Sequence, residues 1–242
     1  MIFDKIIIAR KKLIEYTLLK AKFIQITGHW IYLPILSNKP VVFDLGGNLG
    51  NFSTEMKERF ASNNYLFEPN ASLCEKINDD IASVYNVAVS SKCGEAEFLL
   101  SNNHEASSFN FGNVITWGLE SKQTVKTIDW TEMLRITNCN QSVIDLIKID
   151  IEGSEIDFLN SLTDTDLSKI KSITVEFHDW LDTSLHESTI NTIKRLKKNN
   201  FLTVTDAPNH NWPVEMCFIN KRFLTSNRIR NIYFNIYQLI KF

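Results

Sequence analysis

The stretch Val41-Val42-Phe43-Asp44-Leu45-Gly46-Gly47-Asn48-Leu49-Gly50-Asn51-Phe52-Ser53 constrains the fold more than any other part of the chain. Its apolar start predicts a short buried strand and its glycines a tight turn. Ser53 and Thr54, followed by Glu55 through Phe60, predict a helix start. Such a strand-turn-helix lets the backbone approach a ligand closely at the carboxyl edge of a parallel sheet. Gly46 and Gly50 supply the missing side chains, and Asn48 between them belongs to the few residue types that tolerate positive φ. A glycine turn alone is equally compatible with a purely structural role. Tyr65-Leu66-Phe67, however, predicts a second strand ending at Glu68-Pro69-Asn70. In nucleotide-binding α/β folds an acid about 20 positions past the glycine loop receives the ribose hydroxyls. Glu68 holds that place, so loop and acid together point to an adenosine-containing cofactor.

The remaining segments repeat the pattern. A helix is predicted near Ala71 to Ile77 and a third strand over Ile81 to Val89, with Asn86-Val87-Ala88-Val89-Ser90 at its end. Gly94 to Leu100 and Thr124 to Ile128 alternate as strands, and the polar segment Ser101 to Gly118 between them reads as a long specificity loop. Val143 to Ile149 is a fourth strand ending in Asp150-Ile151-Glu152-Gly153-Ser154-Glu155. Ile173 to Phe177 is a fifth, ending at His178-Asp179-Trp180. Ile190, Ile193 and Leu196 mark a helix whose Lys194, Arg195, Lys197 and Lys198 complement its dipole. Phe201 to Thr205 and Glu215 to Ile219 read as two late strands. Alternating strands and helices make an α/β, doubly wound, mostly parallel sheet with helices on both faces over residues 39–220. A C-terminal tail follows from 221 to 242.

Residues 1–38 read as an N-terminal helical extension. Ile7, Leu13, Ile14, Leu18, Ala21 and Ile24 recur at helical spacing, with Arg10, Lys11, Lys12, Lys20 and Lys22 between them. Three roles compete: packing on the domain or on a second copy in a homodimer, a lid, and a basic amphipathic helix in peripheral contact with a membrane. No run approaches the length of a transmembrane span, and no secretory signal is recognisable. A net charge of −2 over 242 residues gives no reason to expect a nucleic-acid partner. Cys74, Cys93, Cys139 and Cys217 form no C-x-x-C pair, which points to a reducing, cytoplasmic setting and away from structural zinc.

Ligands of open α/β sheets bind outside the carboxyl ends of the strands. Asp44, Glu68, Asn86, Asp150 with Glu152, and Glu176 with His178 all stand at predicted ends and suggest one polar cleft. Structural alternatives exist: a helix cap for Asp150, a Lys148 partner for Glu152, a turn contact for Glu176. His29, His104, His186 and His210 lack such context and are assigned to the surface or to structure.

Asp44 to Ser53, Phe67-Glu68-Pro69-Asn70, Leu146-Ile147-Lys148-Ile149-Asp150-Ile151-Glu152-Gly153-Ser154-Glu155 and Val175-Glu176-Phe177-His178 together resemble the FkbM family of S-adenosylmethionine-dependent methyltransferases. The Lys148 to Glu155 block is the most specific part. The resemblance implies a Rossmann-like, seven-stranded sheet whose last strand is antiparallel, a place Glu215 to Ile219 can fill. It implies S-adenosyl-L-methionine as cofactor, held by Asp44, Gly46, Asn48, Gly50, Asn51, Phe52, Ser53, Glu68, Asn86, Ala88 and Asp150. Within that set the loop embraces the methionine part, Glu68 takes the ribose, and Asn86 to Ala88 lie against adenine. It further implies a hydroxylated acceptor, often a sugar in polysaccharide, glycolipid or natural-product pathways. Gly46-Gly47-Asn48 departs from a commoner Gly-Ala-Asn, and a second glycine is expected to loosen the turn.

A sugar hydroxyl needs a base, and His178 is the first candidate because an ordinary imidazole titrates near 6.5. Asp150 is the second, with Glu152 beside them. A divalent ion on Asp150, Glu152 and His178 is an alternative, although no ligand-spacing motif demands a metal. Two rival functions remain. A nicotinamide-dependent oxidoreductase shares the turn and the acid, but Asn48 replaces a fingerprint glycine and neither Phe52 nor Ser53 is glycine. A non-catalytic scaffold would need neither loop nor acid.

Overall fold

The computed structural model describes residues 12–101, 119–179, 183–205, 214–229 and 232. Residues 12–20 form helix α1. Phe23–Ile26 (β1) and His29–Tyr32 (β2) then pair as an antiparallel hairpin. This corrects the expectation of helix from Met1 to about Ser37. Phe-Ile-Gln-Ile and His-Trp-Ile-Tyr are rich in the branched and aromatic types that suit a pleated surface. Between them Thr27 and Gly28 both take positive φ (45° and 96°), as a two-residue hairpin turn requires.

Val41–Leu45 (β3) leads into α2 (Asn51–Phe60), followed by β4 (Asn63–Phe67), the short α3 (Ala71–Cys74) and β5 (Ser83–Tyr85). The predicted third strand is divided: Ala88–Val89 (β6) leaves the main sheet and joins Gly94–Ser101 (β7) and Leu119–Ile128 (β8) in a three-stranded sheet. Trp130–Ile136 (α4), β9 (Ile144–Ile149), α5 (Glu155–Ser161), α6 (Asp164–Ser168), β10 (Ile170–Phe177), α7 (His186–Lys198), β11 (Phe201–Thr205) and β12 (Val214–Asn220) complete the order.

The main sheet runs β11-β12-β10-β9-β3-β4-β5. Neighbours from β10 to β5 are parallel, and β12 is antiparallel to both β10 and β11. The seven-stranded, doubly wound expectation and its antiparallel last strand are therefore met. Alternate residues serve opposite faces. Val42 and Leu146 pack with Phe52, Met56, Ile26 and Ile31. Phe43 and Ile147 pack with Trp130, Phe158, Leu159 and Leu196 on the other side.

The hairpin is part of the core. Phe23, Trp30 and Tyr32 join Leu202, Val204, Cys217 and Ile219 with Ile14 and Leu18 of α1. Each such side chain stabilises by about 1.5–3 kcal/mol. Asp145 secures the entrance to β3, accepting hydrogen bonds from the Ser37 and Val41 amides (2.9 and 3.0 Å) and from Lys171 Nζ (2.6 Å). Arg195 donates to the Leu159 and Leu162 carbonyls, a structural use of the basic helix end. Among the described residues no helix is long and apolar enough to cross a membrane. Ile7, Arg10, Lys11, His104, Trp180, His210, Trp212, residues 102–118 of the predicted loop and most of the tail lie outside the described residues.

Candidate active site

The glycine turn is held against the end of β4. Gly46 N and Gly47 N both donate to Phe67 O, at 3.0 and 3.1 Å. Gly46 has φ +75°, and a Cβ there would sit 1.7 Å from the Asp150 carbonyl oxygen. At Gly47 the space of a methyl group is filled by Leu66, whose Cγ lies 2.2 Å from an ideal Cβ. Asn48 takes φ 47°, as its residue type allows. Helix α2 starts at Asn51 with Gly50 (φ +76°) before it, two residues earlier than predicted, because Ser53 is otherwise engaged. Its Oγ donates to Asp44 Oδ2 at 2.7 Å inside the protein.

Glu68 is buried and ties the turn to its own strand end. Oε2 accepts from Asn48 N (3.0 Å) and Oε1 from Asn70 N (2.8 Å), leaving each oxygen with further acceptor capacity. Burial raises its pKa against the pull of those two amides and of Lys148. Asn86 Nδ2 donates to the Glu68 and Pro69 carbonyls, shaping the neighbouring wall. Two predicted residues face inward instead. Phe52 packs in the core, its ring edge-on to His29 at 5.7 Å, and the Ala88 side chain is buried against Phe98 and Val125. Either can meet a ligand only through backbone atoms.

Lys148 joins this half of the site to the other. Its Nζ donates to Gly46 O (2.7 Å) and lies 3.5 Å from Asp44 Oδ1 and 3.4 Å from Asp150 Oδ2. Burial works against its charge, yet Asp150 and Asp44 hold the pKa above that of an ordinary lysine. Asp150 N continues the ladder onto Leu45 O at 3.1 Å. Removing one partner of a buried charge group leaves the others uncompensated, at about 3–5 kcal/mol. Lys148→Met is therefore expected to lower stability by about that amount, read as a reduced midpoint in chemical denaturation. An unchanged midpoint would show that Asp44 and Asp150 tolerate burial unpaired.

Beyond β9 the chain turns sharply through Glu152 (φ 53°) and Gly153 (φ 106°) into α5. Glu155, 1% exposed, accepts from Ile151 N (3.2 Å), Gly153 N (2.9 Å) and His178 Nδ1 (2.9 Å) with one oxygen. His178 Nε2 then faces Glu152 Oε2 at 3.4 Å, Asp150 Oδ1 at 3.9 Å and Glu176 Oε1 at 4.0 Å. The fold thus gathers Asp150, Glu152, Glu176 and His178 in one cluster.

The cluster departs from ordinary titration. Burial pushes Glu152 up to about 8 and, with Asp150, Glu176 up to about 7. Burial opposes the His178 charge, but the Glu155 hydrogen bond and the acids around it raise the ring to about 10. For Asp150 burial is outweighed by Lys148 and His178, and its pKa falls. An ordinary imidazole value near 6.5 thus does not describe His178 in this cluster.

Two contributors were not recognised from sequence. Glu155 closes the Lys148 to Glu155 block, where the sequence reading gives it no role of its own. His29 is carried in by the hairpin, with Nδ1 3.0 Å from Glu215 Oε2. The Thr27-Gly28 step between two strand-like runs was the available signal.

A family model described as a methyltransferase FkbM domain matches residues 44–202. A hexuronic acid methyltransferase of Haloferax volcanii, AglP, is 22% identical over 142 residues, 59% of this chain and 57% of that protein. The chain thus spans a little over half the length of this curated relative. Among solved structures, a precorrin-6y methyltransferase of Geobacter metallireducens is 10% identical with a TM-score of 0.41, over 76% of this chain and 81% of the other. M. capricolum TrmK, solved with S-adenosyl-homocysteine, is 14% identical with a TM-score of 0.36, over 81% and 70%.

Proposed function

The chain belongs to the FkbM domain family of methyltransferases, with S-adenosylmethionine as cofactor, and we propose that it transfers the methyl group to a hydroxyl of a sugar. The observation that carries this reading is the cluster of Asp150, Glu152, Glu176 and His178 at the ends of β9 and β10, beside the glycine turn. A hydroxyl acceptor must lose a proton, and this cluster is built to receive one. The name of the Haloferax volcanii relative, a hexuronic acid methyltransferase, supports a saccharide as acceptor.

The residues present suit the cofactor. Asn48 Oδ1 is a buried acceptor without a hydrogen-bond partner and Asp44 Oδ1 has only the ion pair with Lys148 Nζ at 3.5 Å, so a ligand ammonium group would satisfy both. Gly46 lets the turn close against the Asp150 carbonyl, Glu68 retains acceptor capacity for ribose hydroxyls, and Asn86 and the backbone at Ala88 border the adenine side. The cofactor supplies an electrophilic sulfonium methyl. Held by these residues, it would offer that methyl to an acceptor oxygen placed in line with the carbon–sulfur bond and would depart as S-adenosylhomocysteine. The protein's share is alignment, a source of several kcal/mol, and removal of the hydroxyl proton. Glu152 takes that proton, with His178 and Asp150 positioning its carboxylate.

Titration calorimetry with S-adenosylhomocysteine is expected to show one site, weakened more than tenfold in Glu68→Ala, with no heat from NAD. Binding of NAD in place of S-adenosylhomocysteine would overturn the assignment. Incubation with S-adenosylmethionine and uronic-acid or neutral saccharides should then add one methyl ether to an acceptor, read by mass spectrometry. Methylation confined to nitrogen acceptors would refute the hydroxyl assignment while sparing the cofactor.

A further inference from the structure

We propose that Asp150, Glu176 and His178 form a binding site for a divalent metal cation, placed where the acceptor oxygen would lie. This deepens the methyl-transfer reading and rests on it for the ion's purpose, though ion binding itself does not. One carboxylate oxygen from each acid and one ring nitrogen of His178 all lie within 4.8 Å of one another. The ring's Nε2 is 3.9 Å from Asp150 Oδ1 and 4.0 Å from Glu176 Oε1. Those separations are too long for hydrogen bonds. They suit a shared ion, since two ligands bonded at about 2.0–2.2 Å are separated by at most about twice that length.

The surroundings make His178 more than a neighbour of acids. The ring is 6% exposed, and its Nδ1 is held by Glu155 at 2.9 Å. Glu155 is in turn fixed by the amides of Ile151 and Gly153. A carboxylate behind a histidine is the usual outer support of a metal-bound imidazole: it makes Nδ1 the donor and turns the Nε2 lone pair towards the ion. Adjacent parallel strands supply the ligands, Asp150 just past β9 and Glu176 with His178 at the end of β10, so the site is set by sheet register. Two carboxylate oxygens and one imidazole nitrogen suit Mn²⁺ or Zn²⁺ better than Ca²⁺. Such an ion would bind the acceptor hydroxyl and acidify it. Glu152 is outside the ligand group, with Oε2 3.4 Å from His178 Nε2.

The test uses the full chain, stripped with a chelator and titrated with MnCl₂ while the free Mn²⁺ paramagnetic resonance signal is followed. S-adenosylhomocysteine binding is measured on the same preparations. One site of micromolar affinity is expected. Glu176→Gln and His178→Gln should weaken it at least tenfold, and Glu155→Gln, which removes only the outer support, by 10–100-fold. Thermal melts of each variant separate ligand loss from unfolding. Glu132→Gln on the exposed face of α4 should bind Mn²⁺ like the parent chain. Absence of saturable Mn²⁺ and Zn²⁺ binding up to millimolar concentration would overturn the proposal. So would affinity unchanged in folded Glu176→Gln and His178→Gln. Either result with intact S-adenosylhomocysteine binding removes the ion alone, whereas loss of S-adenosylhomocysteine binding in the parent chain removes the cofactor assignment.

Discussion

Gly46→Ala is expected to reduce S-adenosylhomocysteine affinity by about 100-fold or more, equivalent to ~2.7 kcal/mol or more, and to lower the melting temperature as well. Two costs combine. An alanine at φ +75° occupies the left-handed region that side chains avoid, at about 1–3 kcal/mol. Its methyl would also lie 1.7 Å from the carbonyl oxygen of Asp150, which is backbone and cannot rotate away. Relief requires the turn and the end of β9 to separate. That movement breaks the Asp150 N to Leu45 O hydrogen bond and the Lys148 link, so both halves of the cleft lose register. Gly47→Ala offers a control one residue away. Its obstacle is the Leu66 side chain, so Leu66→Ala should restore binding to Gly47→Ala and do nothing for Gly46→Ala. Calorimetric titration of the four proteins reads the difference. Gly46→Ala binding within threefold of the parent would show that the turn is not the cofactor's cradle.

The main sheet was legible because its strands are short apolar runs bounded by turn chemistry, the strongest local signal of a parallel sheet. Val41 to Leu45 and Ile144 to Ile149 could hardly be anything else. The hairpin was not legible by spacing alone: Ile14, Leu18, Ala21 and Ile24 keep helical period across a boundary at which the chain changes structure. The Thr27-Gly28 step carried the missing information, and period outweighed turn chemistry in the expectation. Val87 and Ala88 read as one strand with Val84, yet β6 departs to a second sheet by pairing Ala88 with Thr127 and Val89 with Ile128 of β8, a contact that no local pattern encodes.

The site divides in the same way. Asp44, Glu68, Asp150 and Glu176 follow from the rule that strand ends face ligands, and the fold places them there. What sequence could not supply was the surroundings. His178 was judged by an isolated imidazole, whereas Glu155 and the neighbouring acids raise it to about 10. Phe52 and Ser53 shared a motif with the loop, but the helix begins at Asn51 and turns both towards the interior. Side-chain direction at a helix start depends on where the first turn closes, and that boundary was two residues off.

Glu152→Gln is expected to lower kcat by about 10²–10⁴-fold, the usual contribution of a positioned proton acceptor, with S-adenosylhomocysteine affinity within threefold of the parent. Glutamine keeps the shape of a side chain whose oxygen lies 3.4 Å from His178 Nε2. It cannot take a proton. A sugar hydroxyl that keeps its proton remains a poor nucleophile even when aligned with the sulfonium methyl. The loss should therefore fall on kcat and leave the cofactor half, built from Asp44, Gly46, Asn48 and Glu68, untouched. The same variant separates proton transfer from ion binding. Glu152 is not among the ligand atoms of Asp150, Glu176 and His178, so Mn²⁺ affinity should stay within a few-fold while turnover collapses. His178→Gln should lose both. Single-turnover methylation with a saccharide acceptor, run beside the Mn²⁺ titration, distinguishes the two variants. If Glu152→Gln retains more than a tenth of the parent rate, the proton leaves by another group, and Asp150 is the next to substitute.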